Sequence, residues 1–322
     1  MQSNDQIYKA FYSLWSDFQS EMNFPTERPL LSHYTSIATL ECILRNDEVW
    51  FSNPLNMNDF EELRFGVIES AKAFRLSERI EHCCGTRERH EALSKNFEAK
   101  FHQFDSEHAL DIYVFCMAKH DDTNNDGVLS MWRGYGENGG GAAIVIDMSK
   151  LALVPGSPII MSKVTYMSSD ERLQWIHNKL QEFATLIQAN NPSEDQFHIA
   201  IDQLFARIVS FALFTKHQGF EEEKEWRAVY MRDRDLTGLY ENMLSYSIGK
   251  RGIEPKFKYL VKPFQGSPNQ DVSMEKVIHK IILGPSAAGA LSIEATKRMF
   301  RAVGKESLVS KLVPSSVPYR AS

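Results

Sequence analysis

The chain has 322 residues, 43% of them hydrophobic, with 36 Lys and Arg against 42 Asp and Glu and a formal charge of −6. That is ample apolar material for a sizeable core, in one large domain or two small ones, and too little positive charge for a broad duplex-binding field, although a local basic groove stays open. With no run of about 18 apolar residues, no basic-then-apolar leader, and four cysteines (Cys42, Cys83, Cys84, Cys116) lacking any disulfide framework or C-x-x-C pair, a cytoplasmic protein without a membrane partner is expected.

Ile7, Phe11, Leu14, Trp15 and Phe18 recur at helical spacing and predict a packed helix over 4–22. Pro25 and Pro29 then interrupt the chain. Ile37, Leu40, Ile43 and Leu44 predict a short helix over 36–45; a strand over 49–52 follows, ended by the turn chemistry of Asn53-Pro54. Asn58-Asp59 reads as the cap of a helix that begins at Phe60. Helices over 59–80 and 86–104 present charged faces of the solvated kind. A buried strand is predicted over 112–117, a polar loop over 120–127, a brief helix over 128–135, and strands over 142–147 and 159–166. Long helices over 169–189 and 195–216 precede a strand that starts near Glu223 and runs to Met231. Strands near 257–262 and 277–283, a helix over 291–303 and a strand over 307–312 complete the chain. Strands and helices mix without βαβ alternation, so the expected class is α+β, with a mixed or antiparallel central sheet and surrounding helices. It is expected as one domain over 1–322, its core spanning about 30–290.

Some residues carry chemistry under one reading and structure under another. His33 is a site histidine or a hydrogen-bonded structural one. Glu225 and Arg227 alternate on one strand and so face the same side, either as site groups or as an ion pair closing the sheet. Trp132 is core or a platform for a ligand ring. Gly134-Tyr-Gly136-Glu-Asn-Gly139 matches G-x-G-x-x-G, but it follows a helix and opens a strand, so it reads as a turn. His82, Cys83, Cys84 and His90 lack metal-ligand spacing, and no metal site is expected there. Asp59, Glu61 and Glu223 leave open a metal-dependent nuclease or phosphohydrolase.

Five segments carry a resemblance. They are Leu31-Ser-His33-Tyr34-Thr35-Ser36 with 49–52; Asn53-Pro54 with Asn58, Asp59 and Glu61; Phe115-Cys116-Met117 with Met131-Trp132 and Tyr135; Lys216 with Glu223-Lys-Glu225-Trp226-Arg227; and Ile281-Ile282-Leu283-Gly284-Pro285. In this order and spacing they resemble DUF2971, a bacterial family of unknown function, over most of residues 30–290. Phe60 departs from the pattern, where a proline would follow Asn-Asp. The opening segment also resembles the start of ADP-ribosyltransferase folds. That resemblance implies central sheets of that type, NAD as substrate, and service as a toxin or phage-defence effector acting on a protein or nucleic acid. It implies that His33 and Glu225 are catalytic. It further implies that His33, Tyr34, Thr35, Trp132, Tyr135 and Glu223 bind the cofactor, with Arg64, Arg133 or Arg227 on its phosphates. Loss of nicotinamide leaves positive charge on the ribose, which a carboxylate beside the sugar stabilises. The rival expectation is a binding module, without turnover, for a nucleotide or a protein.

Overall fold

A computed structural model describes residues 2–18, 28–57, 60–151, 157–249, 252–267 and 269–319. In chain order it holds α1 (Asn4–Tyr12), β1 (Leu30–Thr35), α2 (Ile37–Asn46), β2 (Glu48–Ser52), α3 (Phe60–Arg75), α4 (Glu78–Cys83), α5 (Arg87–Ser106) and β3 (Ile112–His120). There follow α6 (Leu129–Gly134), β4 (Ala142–Asp147), β5 (Ile159–Lys163), β6 (Thr165–Met167), α7 (Ser169–Asn190), α8 (Phe197–Phe214), β7 (Thr215–His217) and β8 (Glu225–Met231). The last are β9 (Leu244–Gly249), β10 (Gly252–Leu260), α9 (Met274–Val277), β11 (Ile278–Leu283), α10 (Ala290–Ala302) and β12 (Leu312–Pro314). The class is mixed helix and sheet. Contacts gather into two compact units, one helical (Met1–Asn23, Asn53–Ile112, Val164–Phe220) and one built on a sheet (Phe24–Ser52, Tyr113–Lys163, Glu221–Ser322).

The helical unit forms around α8. Thirteen of its eighteen residues are buried, as an almost uniformly apolar helix requires, and α1, α3 and α5 pack on it. The segment Glu194–Phe214 is long and apolar enough to cross a membrane by composition, but most of it is buried inside the protein. α1 begins with a capping box between Ser3 and Gln6 and stops at Tyr12, short of the expected reach. There the backbone tightens into a 3₁₀ turn, and the Ser13 hydroxyl donates to the Ala10 carbonyl. The helix expected over 59–80 divides at Ser77, whose hydroxyl caps α4 by accepting from Ile80 N. α3 does start at Phe60; Asn58 and Asp59, the residues read as its cap, lie outside the described residues.

In the sheet unit eight of ten strands run in the order β12-β11-β4-β1-β3-β2-β10-β9, and off this path β8 pairs with both β3 and β5. Strands β11 and β12 are parallel. Side-chain alternation divides the sheet into two faces. Leu31, Phe51, Tyr113, Phe115, Met117, Ile144, Trp226, Ala228, Tyr230 and Phe257 share one apolar core. Tyr34, Ala118, Trp132, Ala143, Val145 and Ile282 form another, on the reverse face. The strand predicted near 257–262 falls on the second half of β10, while β9 and the start of β10 went unread because their alternating residues Tyr246, Ile248 and Ile253 are largely exposed at the sheet edge.

Asn53, buried where β2 enters the helical unit, holds a turn together. Its amide nitrogen donates to the carbonyls of Ala109, Leu110 and Ile112 at 2.9–3.0 Å, and its Oδ1 accepts from Leu55 N at 2.9 Å. Asn53→Ala leaves buried carbonyls without a donor and is expected to cost about 2–3 kcal/mol. A fall in the urea midpoint at unchanged m-value is the expected reading; an unchanged midpoint would contradict the role given to this side chain.

Candidate functional site

β3 is nine residues long and pairs with three strands, although a strand has two edges. β1 meets it at Ala118–His120 and β2 at Val114. Between those pairings the Cys116 carbonyl accepts a hydrogen bond from His33 Nδ1 at 2.9 Å. The ring therefore fills the fork of the sheet and satisfies a backbone carbonyl there. Because a carbonyl only accepts, Nδ1 carries the proton and Nε2 keeps its lone pair. The Phe115 ring lies against the imidazole at 4.4 Å between centroids. Burial pushes the His33 pKa down from its ordinary 6.5, with the Cys116 bond working the other way, so the ring is neutral at pH 7.

Its neighbours on β1 face other surroundings. Tyr34 points to the reverse side, where its hydroxyl accepts from Val128 N at 2.9 Å and its ring packs edge-on against Trp132 at 4.8 Å. Trp132 is fully buried and donates from Nε1 to the Asp126 carbonyl at 2.8 Å; as a platform it offers no open face, and the core reading describes it. Thr35 is buried and paired with Ala142. The stretch 136–141 is a turn, with Glu137 and Asn138 at φ 48° and 54°. Gly141 is required there, since a Cβ would run into the Thr35 carbonyl.

The carboxylates gather elsewhere. The Tyr135 hydroxyl, on a ring 41% exposed, donates to Glu223 at 3.0 Å. Arg227 grips Glu225 bidentately, Nε at 2.8 Å and Nη2 at 3.1 Å, and both side chains are 5% exposed. Trp226, Ala228 and Tyr230 belong to the core that His33 borders, so Glu225 and Arg227 point away from it. The expected meeting of His33 with Glu225 in one site is therefore corrected by the period of two along β8 and β1. Ser162, opposite Arg227 on β5, lies on the same reverse face, as do Ser52 and Lys256, joined at 2.9 Å. Arg64 belongs to the helical unit, beside Asp105, Phe101 and Phe104 in a small hollow. Arg133 stacks on Tyr319 at 5.2 Å.

Among the described residues no cluster of three His, Cys, Asp or Glu side chains could hold a metal ion. Asp59 lies outside the described residues. The residues that sequence reasoning missed are Phe115, Tyr259 and Asn269, which share the lining around His33. Alternation along β3 places Phe115 on the inner face but names no partner for it.

Two outcomes follow. The unfolded chain binds a proton at His33 near pH 6.5 and the folded chain does not, so stability is complete above 6.5 and falls as pH drops below it. His120, lowered by burial and by the charges of Lys280 and His279, acts in the same direction. His33→Gln should shrink the loss in urea midpoint between pH 7.5 and 5.5; an identical loss would place the coupling elsewhere. In a double-mutant cycle, Glu225→Ala and Arg227→Ala should each destabilise by about 3 kcal/mol, with a coupling of at least about 1 kcal/mol; strict additivity would show that the pair is energetically idle.

No curated protein and no solved structure matches the chain. Residues 131–228 match a family model described as protein of unknown function (DUF2971). The matched stretch opens inside α6 and ends inside β8, the two elements that Tyr135 and Glu223 adjoin. Over this stretch the chain is similar to DUF2971.

Proposed function

We propose that the sheet unit binds NAD and acts on it as an ADP-ribosyltransferase-type enzyme, using Tyr135, Glu223, Glu225 and Arg227. One observation carries the reading. The Tyr135–Glu223 contact spans 88 residues and joins the two ends of the family segment, which sets a partly exposed aromatic ring beside a Glu-x-Glu pair. A ring of that kind offers a face for nicotinamide. Nicotinamide leaves with the electrons of the glycosidic bond, and the positive charge left on the ribose falls to the Glu225 carboxylate, with a nucleophile of the acceptor closing the reaction. Arg227 holds Glu225 in one orientation through its bidentate contact. His33, Tyr34, Thr35 and Trp132 have no part in this version. The acceptor is a protein or a nucleic acid, and the setting implied by the resemblance is toxicity or phage defence.

The bidentate Arg227–Glu225 pair favours a second reading, binding without turnover, because both carboxylate oxygens are already engaged. Calorimetric titration with NAD and assay of free nicotinamide separate the two. Transfer chemistry predicts nicotinamide release that Glu225→Gln abolishes while circular dichroism stays native. The binding module predicts affinity without release, and Glu225→Gln then leaves affinity intact. In both readings Glu223→Gln or Tyr135→Phe weakens NAD by about tenfold, the loss of one hydrogen bond to a charged group. No binding and no release, with or without cell extract, would remove both.

A further inference from the structure

The inner face of the sheet encloses a cavity of about 90 Å³, lined by residues from β1, β2, β3, β4, β5, β8, β10 and β11. Strands as far apart in the sheet as β11 and β10 contribute, so the sheet curls around it. Ile144, Phe51, Phe115, Met117 and Met161 make most of the wall apolar, and among the described residues the polar side chains in the lining are His33, Tyr259 and Asn269. His33 is surrounded by protein yet keeps accessible surface, which its place in the cavity wall accounts for. Its Nδ1 is committed to Cys116, and among the described residues no hydrogen bond to Nε2 is present. The cavity is thus an apolar chamber with a hydrogen-bond acceptor held at a fixed point of its wall. Burial keeps that acceptor unprotonated at neutral pH.

A chamber lined this way is a poor home for water, which needs two to four polar partners, and a good one for a compact apolar solute, as dry engineered cavities in other proteins show. We propose that this cavity is a binding site for a small, mostly apolar molecule bearing one hydroxyl group, the hydroxyl donating its hydrogen to His33 Nε2. A neutral acceptor selects for a donor, so an alcohol is preferred to the hydrocarbon of the same shape, and a carboxylate, with acceptors only, is disfavoured. Roughly six heavy atoms fit such a volume, which sets affinity on the order of millimolar or somewhat better. The site lies on the face opposite Glu225 and Arg227 and stands independently of the NAD reading.

Cyclopentanol and cyclopentane are the matched probes. Heteronuclear NMR titration of the whole chain should show both binding, with cyclopentanol about tenfold tighter, the yield of one hydrogen bond. The ¹⁵N resonance of His33 Nε2 should move on adding cyclopentanol and stay in place with cyclopentane. His33→Leu should retain cyclopentane and lose the preference; Ala228→Leu, which fills the cavity from β8, should exclude both. Where His33→Leu does not fold, the Nε2 resonance in the unaltered chain decides alone. Equal affinities, an unmoved Nε2 resonance, or no binding by either probe would overturn the proposal.

Discussion

The sheet unit depends on β3 serving three strands with two edges. One long strand carries β1 at its C-terminal end and β2 near its start, and the two halves of the sheet diverge from it. Divergence opens backbone groups that pairing would otherwise satisfy, and a buried carbonyl without a donor costs roughly 1–3 kcal/mol. His33 meets that demand at Cys116. Its imidazole is rigid and flat enough to pack against Phe115 and can donate while uncharged, a combination that a lysine or an aliphatic residue lacks. The curl of the sheet, the cavity inside it and the depressed basicity of His33 follow from that fork.

The strict two-residue period of each strand then sorts the chemistry. On β1, His33 faces the cavity and Tyr34 the Trp132 cluster. On β8, Trp226, Ala228 and Tyr230 enter the inner core while Glu225 and Arg227 go to the other side. The inner face is apolar and encloses space. The reverse face carries the ion pair, Ser162, and the Ser52–Lys256 contact. The two surfaces proposed above as binding sites therefore lie on opposite sides of one sheet.

Much of this was legible in the residues. Helical periodicity located α7 and α8 within two residues of their ends, and the alternation of Glu225 with Arg227 already required that they share a side. The G-x-G-x-x-G stretch read correctly as a turn, since it followed a helix where a nucleotide loop follows a strand. Other features depended on neighbours distant in sequence. The outer part of the β9–β10 hairpin, with Tyr246, Ile248 and Ile253 exposed, shows no buried face to detect. Asn53 reads as turn chemistry, yet its amide binds a segment more than fifty residues away. Tyr135 and Glu223 are 88 residues apart, and nothing local to either points to the other.

By itself, then, the sequence determined the class, the helices and strands with strong periodicity, the resemblance to DUF2971 that the match over residues 131–228 bears out, and the facing of each strand residue relative to its own neighbours, because all of these are written in local spacing and ordered motifs. Only the tertiary structure decided which face each strand turned inward, that His33 belongs to an apolar cavity while Glu225 belongs to the opposite side, and that Tyr135 meets Glu223. Strand parity is a local property, but its sign is set by how one strand registers against the next, and that register comes from packing across the whole sheet.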